Sequence, residues 1–80
     1  MKPTKEVLEK FSTEDLRQIL YEFFVNEGID ADAEFGREVL SHNEIPNVDK
    51  LFREFAIEHI RDEVSFEDLV ESGWCFEDEQ

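Results

Sequence analysis

The sequence predicts an all-α fold, a small single-domain bundle of four to five short helices. Three observations carry this. Apolar residues recur with helical spacing, polar residues of N-cap type precede each periodic stretch, and no segment alternates apolar and polar residues as a half-buried strand does. Eighty residues allow one modest core. An apolar fraction of 40%, with eight phenylalanines plus Tyr21 and Trp74, supplies the bulk for it and separates the chain from disordered acidic sequences.

The first helix is short, Lys5 to Phe11, after Pro3 and Thr4. Ser12 reads as an N-cap, with Asp15 in the place of a capping box. It opens a helix over Thr13 to Asn26, whose Leu16, Ile19, Leu20, Phe23 and Phe24 share one face. Gly28 fits a C-terminal glycine. Asp30 caps a third helix, Ala31 to Ser41, with Phe35, Val39 and Leu40 inward. Gly36 inside it weakens the helix by ~1 kcal/mol relative to alanine, unless a neighbouring backbone needs the space. Residues 42–46 form a loop, with Ile45 extended because it precedes Pro46.

Asn47 caps the fourth and clearest helix, which runs to Glu63. Its apolar stripe is Val48, Leu51, Phe52, Phe55, Ala56, His59 and Ile60. Ser65 with Asp68 opens a fifth helix through Phe66, Leu69 and Val70, and Gly73 closes it. Trp74, Cys75 and Phe76 are expected to fold back on the core. Residues 1–4 and 77–80 are expected to fray.

Charge separates the function classes. There are 22 acidic and 8 basic residues, a net of −14. Direct contact with nucleic acid or an anionic membrane is disfavoured, and a basic or nucleic-acid-binding protein partner is favoured. No apolar run approaches the roughly 20 residues that span a bilayer. The N-terminus leads into no signal-like apolar stretch, so a cytoplasmic location is expected, the host cytoplasm if the chain is phage-encoded.

Candidate chemistry fails on spacing. In an EF-hand starting at Asp30, the glycine and bidentate-glutamate places hold Phe35 and Ser41. An acidic helix N-terminus, stabilised by the helix dipole, is the simpler reading. Glu38 with His42, and His59 with Glu63, stand one turn apart, but the helical di-iron pattern needs Glu-x-x-His on two helices. His59 lies on the apolar stripe and is expected to bond within its own helix. Cys75 sits in an acidic tail that suppresses its thiolate, so a structural role is expected. No glycine-rich phosphate loop is present. No metal, no cofactor and no enzymatic activity are therefore expected.

What remains is the pattern of acids. Glu54, Glu58 and Asp62 succeed one another at i+4, as do Glu34 and Glu38, and Glu67 and Glu71. Like-charge pairs at this spacing destabilise a helix by roughly 0.2–0.5 kcal/mol each. Several such rows, against few basic residues, mark these seven carboxylates as candidate partner-binding residues. The i+4 steps place them roughly 6 Å apart along rigid helices. A domain of this length should be roughly 30 Å across, and that length of duplex carries about 18 phosphates, a charge of the same order. Lys50, Arg53, Ile57 and Arg61 share a second face of the fourth helix. Pairing with Asp49, Glu54 and Glu58 is the preferred reading, and a subunit contact centred on Ile57 is the alternative.

Glu27-Gly28-Ile29-Asp30 after a helix, a loop with Pro46 and Asp49, then a long helix and an acidic tail resemble the overcome-classical-restriction (Ocr) family of phage antirestriction proteins. The resemblance covers residues 23–72. It implies an acidic helical protein that imitates DNA, with a homodimer left open. The chain is shorter than those proteins and keeps a basic N-terminal segment, so dimer geometry and target are not carried over. Anti-CRISPR and immunity proteins share the small acidic look. The leading expectation is a phage-type inhibitor that binds a restriction, CRISPR or other DNA-processing factor by DNA mimicry. The alternatives are an acidic adaptor, regulatory or immunity-type protein with an apolar groove, and, more weakly supported, a metal-dependent regulator.

Overall fold

A computed structural model describes residues 1–25, 30–40 and 47–78. These form five α-helices, α1 (Lys5–Glu9), α2 (Thr13–Phe24), α3 (Ala31–Phe35), α4 (Val48–Glu63) and α5 (Phe66–Glu71), with a π-helical turn over Gly36–Leu40 continuing α3. No strand occurs among the described residues, so the all-α expectation holds. Gly28, the end of α2 at Asn26, the 42–46 loop, Ser41, His42 and residues 79–80 lie outside the described residues, as does the side chain of Leu40.

Local chemistry sets most of the helix ends. Thr4, Ser12 and Ser65 take extended backbone, and their hydroxyls accept from the amides of Val7, Asp15 and Asp68. The Asp30 carboxylate accepts from the amides of Asp32 and Ala33. Asn47 occupies the cap position of α4 but makes no capping hydrogen bond. Its ψ of 71° differs from the 156–163° of the three hydroxyl caps and aims the side chain elsewhere. At the other end, α5 stops as expected at Gly73, whose φ is +85°. Gly73 N–H donates to Val70 and Trp74 N–H to Leu69, at 3.0 and 2.8 Å, the paired bonds of a Schellman motif.

Two helices are shorter than their periodicity suggested. α1 ends at Glu9 because Lys10 and Phe11 donate to Val7 and Leu8, tightening the last turn into i+3 bonds before Ser12 becomes extended. The third helix does not run as α to Ser41. It widens to a π turn at Gly36, the residue with least steric resistance to a change of register. No neighbouring backbone claims the space at Gly36, since an added Cβ would meet nothing within 4 Å, and its φ of −58° suits any residue. Gly36→Ala is therefore expected to stabilise the protein by about 0.4–1 kcal/mol, read as a higher urea midpoint. A lowered midpoint would show that the π turn needs glycine.

The core draws on all five helices, with α2 packed most extensively on α4. Leu8, Leu16, Ile19, Leu20, Ile60 and Leu69 are essentially inaccessible. Phe52 and Phe55 are buried, as the stripe requires, and their rings lie 5.2 and 5.4 Å from that of Phe35. Val48, in the first turn of α4, leaves the stripe and is exposed. Ile57, by contrast, is buried within the chain at 7% exposure, so it cannot centre a subunit contact.

The N-terminal end of the described chain differs from expectation. Residues 1–4 are held in place. Pro3 is fully buried, and Phe66 N–H donates to the Met1 carbonyl at 2.7 Å. At the C-terminal side Cys75 is buried and Trp74 returns to α2. The indole N–H donates to Glu22 at 2.7 Å, and its ring meets Phe11 edge-on. Phe76 does not follow them. Burial of Cys75 turns the next side chain outward, and Phe76 is 76% exposed.

Candidate functional site

The carboxylates predicted to meet a partner fall into three different surroundings. Glu54, Glu58 and Asp62 lie on an exposed strip of α4 that borders an open groove of about 1010 Å³ between α4 and the N-terminal segment. The groove is not an acidic face. Glu9, Asp49, Glu54, Glu58 and Asp62 line it together with Lys2, Lys5, Lys50, Arg53 and Arg61, five charges of each sign. Lys2 reaches Asp62 at 3.9 Å and Lys5 reaches Glu9 at 3.8 Å. Such exposed pairs contribute little to stability, at most ~1 kcal/mol, but they cancel charge locally.

Arg53 does not pair along its own helix. Its guanidinium donates to the Thr13 hydroxyl and to the Glu9 carbonyl, both at 3.2 Å, and so ties α4 to α1 and α2. Lys50 and Arg61 make no ion pair among the described residues. The intrahelical pairing expected of this face is therefore absent, because the fold offers Arg53 better-placed acceptors from neighbouring elements.

Glu34 and Glu38 are each engaged. Glu34 pairs with Arg37 one turn on. Glu38, on the π turn, meets His59 Nε2 across the interface with α4 at 3.1 Å. His59 is thus bonded to another element rather than to its own helix or to Glu63, and its ring lies tilted against that of Phe55, with centroids 4.3 Å apart. Glu38 stands three residues after Phe35 and His59 four after Phe55, so the pair lies one turn beyond the Phe35–Phe55 contact.

Glu67 and Glu71 occupy the third setting. They border a shallow cleft of about 440 Å³, also lined by Met1, Phe66, Val70 and Glu77. The N-terminal ammonium lies 3.0 Å from Glu67. Its own backbone amide first, and that ammonium second, hold the Glu67 carboxyl below its ordinary pKa. This depression favours the folded state above the unfolded carboxylate pKa, and the benefit is lost as pH falls through the lower folded value. From residue 62 to residue 80 the chain holds eight acids and no lysine or arginine.

The Asp30–Glu34 segment is taken up by structural contacts. Asp30 caps α3, while Asp32 accepts from Arg17 Nη1 and from the Tyr21 hydroxyl, each at 2.8 Å. That hydrogen bond raises the Tyr21 pKa. Arg17 also lies over the Phe52 ring at 4.3 Å, so this cluster fastens α2 to both α3 and α4. Among the described residues no three His, Cys, Asp or Glu side chains converge as a metal site. Saturating calcium or zinc is accordingly expected to leave Tm unchanged, and a saturable rise at micromolar metal would contradict this.

Cys75 is buried and unbridged. No described helix is long and apolar enough to cross a membrane. Sequence reasoning missed the partners that only the fold supplies: Lys2, Lys5 and Glu9 beside α4, and Met1, Val70 and Glu77 around α5. The missing arginine and lysine after Arg61 was the one available signal for the second group. No known protein family, curated protein or solved structure matches the chain.

Proposed function

We propose that this protein is a non-catalytic acidic binder that occupies the basic, nucleic-acid-binding surface of another protein. One observation carries the reading, the segregation of charge over the folded surface. Five of the eight basic residues face five acids in the α4 groove, and among the other described residues 14 acids stand against three basic residues. Nearly all of the net charge of the described residues thus lies outside that groove, and the stretch after Arg61 has no basic side chain to offset it. The longest axis is 39 Å, a length over which duplex DNA carries about 23 phosphates. Short helices fixed to a packed core hold these acids in place, so little order is lost on binding.

In this account α5 and the segment up to Asp78 form the primary contact. The Glu54, Glu58 and Asp62 strip is secondary, because Lys50 and Arg61 stand beside it. Electrostatic steering speeds encounter, and desolvated apolar contacts slow release. The sequence resemblance of residues 23–72 to the Ocr family is the reason for reading this binder as an inhibitor that stands in for DNA. The adaptor reading gains support from one feature, the apolar lining of the cleft beside α5. Competition separates the two: a mimic and a short duplex exclude one another from the captured partner, whereas an adaptor and the duplex bind together.

A further inference from the structure

The cleft beside α5 is lined mainly by apolar surface, whereas polar and apolar surface are about equal in the α4 groove. Met1, Phe66 and Val70 line it together with Glu67, Glu71 and Glu77. Met1 is 72% exposed, although Met1 and Phe66 are joined through their backbones at 2.7 Å. Phe76, next to Glu77, is also exposed. At about 440 Å³ the cleft falls within the usual size range of binding pockets. Most of the Met1 surface and part of Val70 remain in water at a place where one rigid wall, α5, is capped at both ends.

We propose that this cleft is the anchor point of the interface, and that its occupant is a basic peptide segment of the partner carrying an aliphatic side chain between lysines or arginines. The inference rests on the proposed function and adds the position and chemistry of the contact. Charge complementarity selects the occupant. The Met1 ammonium already meets Glu67, but Glu71 and Glu77 also border the cleft, Asp68 and Asp78 stand next to its lining residues in sequence, and residues 62–80 offer no basic side chain. An acidic or neutral segment would desolvate these carboxylates without return, while flanking cations would pair with them as the aliphatic group covers Met1 and Val70. A purely polyanion-like surface needs no such anchor and would bind cations without regard to the residues between them.

The test uses two synthetic peptides of equal length and charge, one alternating lysine with leucine and the other lysine with serine, titrated into the full chain and followed by amide NMR. The lysine–leucine peptide is expected to bind roughly tenfold more tightly, as burial of one or two methylene-rich contacts predicts. The amides of Phe66, Val70 and Glu71 should shift most. A variant with Glu71→Lys and Glu77→Lys, its fold checked by circular dichroism, should weaken both peptides. Val70→Thr, nearly the same shape, should weaken only the lysine–leucine peptide. Equal affinities, shifts centred on the α4 groove, or no binding of either peptide would overturn the anchor. The proposed function would then stand or fall separately, on competition with DNA.

Discussion

Replacing Phe52 or Phe55 with alanine is expected to destabilise the protein by about 3–5 kcal/mol each, a large share of its total stability. A domain of this length has a total stability of roughly 4–12 kcal/mol. Phe52 is 3% exposed, meets Phe35 edge-on at 5.2 Å, and carries the Arg17 guanidinium on its face. Its loss opens a cavity and also frees Arg17, which joins α2 to Asp32 on α3. Phe55 is 6% exposed and supports both Phe35 and His59. Its removal loosens the side of α4 that holds Glu38. Thermal and urea melts of the two variants check this, and unchanged midpoints would mean that the α3–α4 contact is not part of the stable core.

Reversing Glu71, Glu77 and Asp78 to lysine is expected to weaken binding to a basic partner by about 2–5 kcal/mol, which amounts to loss of binding at ordinary concentrations. All three side chains are exposed, so the fold should survive. On α5 the change even places a lysine one turn after Glu67, the favourable order of an i+4 pair. Neutralising the α4 strip with Glu54→Gln, Glu58→Gln and Asp62→Asn should cost less. There the acids already face five cations, and the loss of the Lys2–Asp62 pair is a surface effect. Titration calorimetry at two salt concentrations ranks the variants. A larger loss from the α4 set would move the contact surface to that groove.

The amphipathic stripe of α4, the hydroxyl caps and the Gly73 stop were legible because each depends on residues within one or two turns. Burial of Ile57 was not. On α4 it sits between Arg53 and Arg61 on a face that looks polar, and it is covered only because the N-terminal segment packs against that face. For the same reason Arg53 was assigned to Asp49, Glu54 and Glu58, although its acceptors belong to Glu9 and Thr13. The acidic rows could be read as rows, but a row does not reveal what faces it. Glu38 and His59 are 21 residues apart and meet only because Phe35 packs on Phe55, a pairing of elements that periodicity within one helix does not reveal. Val70 and Glu71 become a cleft only when Met1 is fastened to Phe66.

The central claim, that this surface takes the place of nucleic acid on a basic protein, is tested most directly by competition. A partner captured on the immobilised chain is challenged with short duplex DNA at fixed ionic strength. Uncharged dextran serves as the control, and the chain with Glu71, Glu77 and Asp78 reversed serves as the reference surface. Duplex is expected to release the partner in proportion to its affinity for that partner, dextran is not, and the reversed chain is expected to capture nothing. Binding should also weaken steeply as salt rises, since the contact is chiefly electrostatic. A ternary complex in which duplex and this protein sit together on the partner, with binding nearly indifferent to salt, would contradict it.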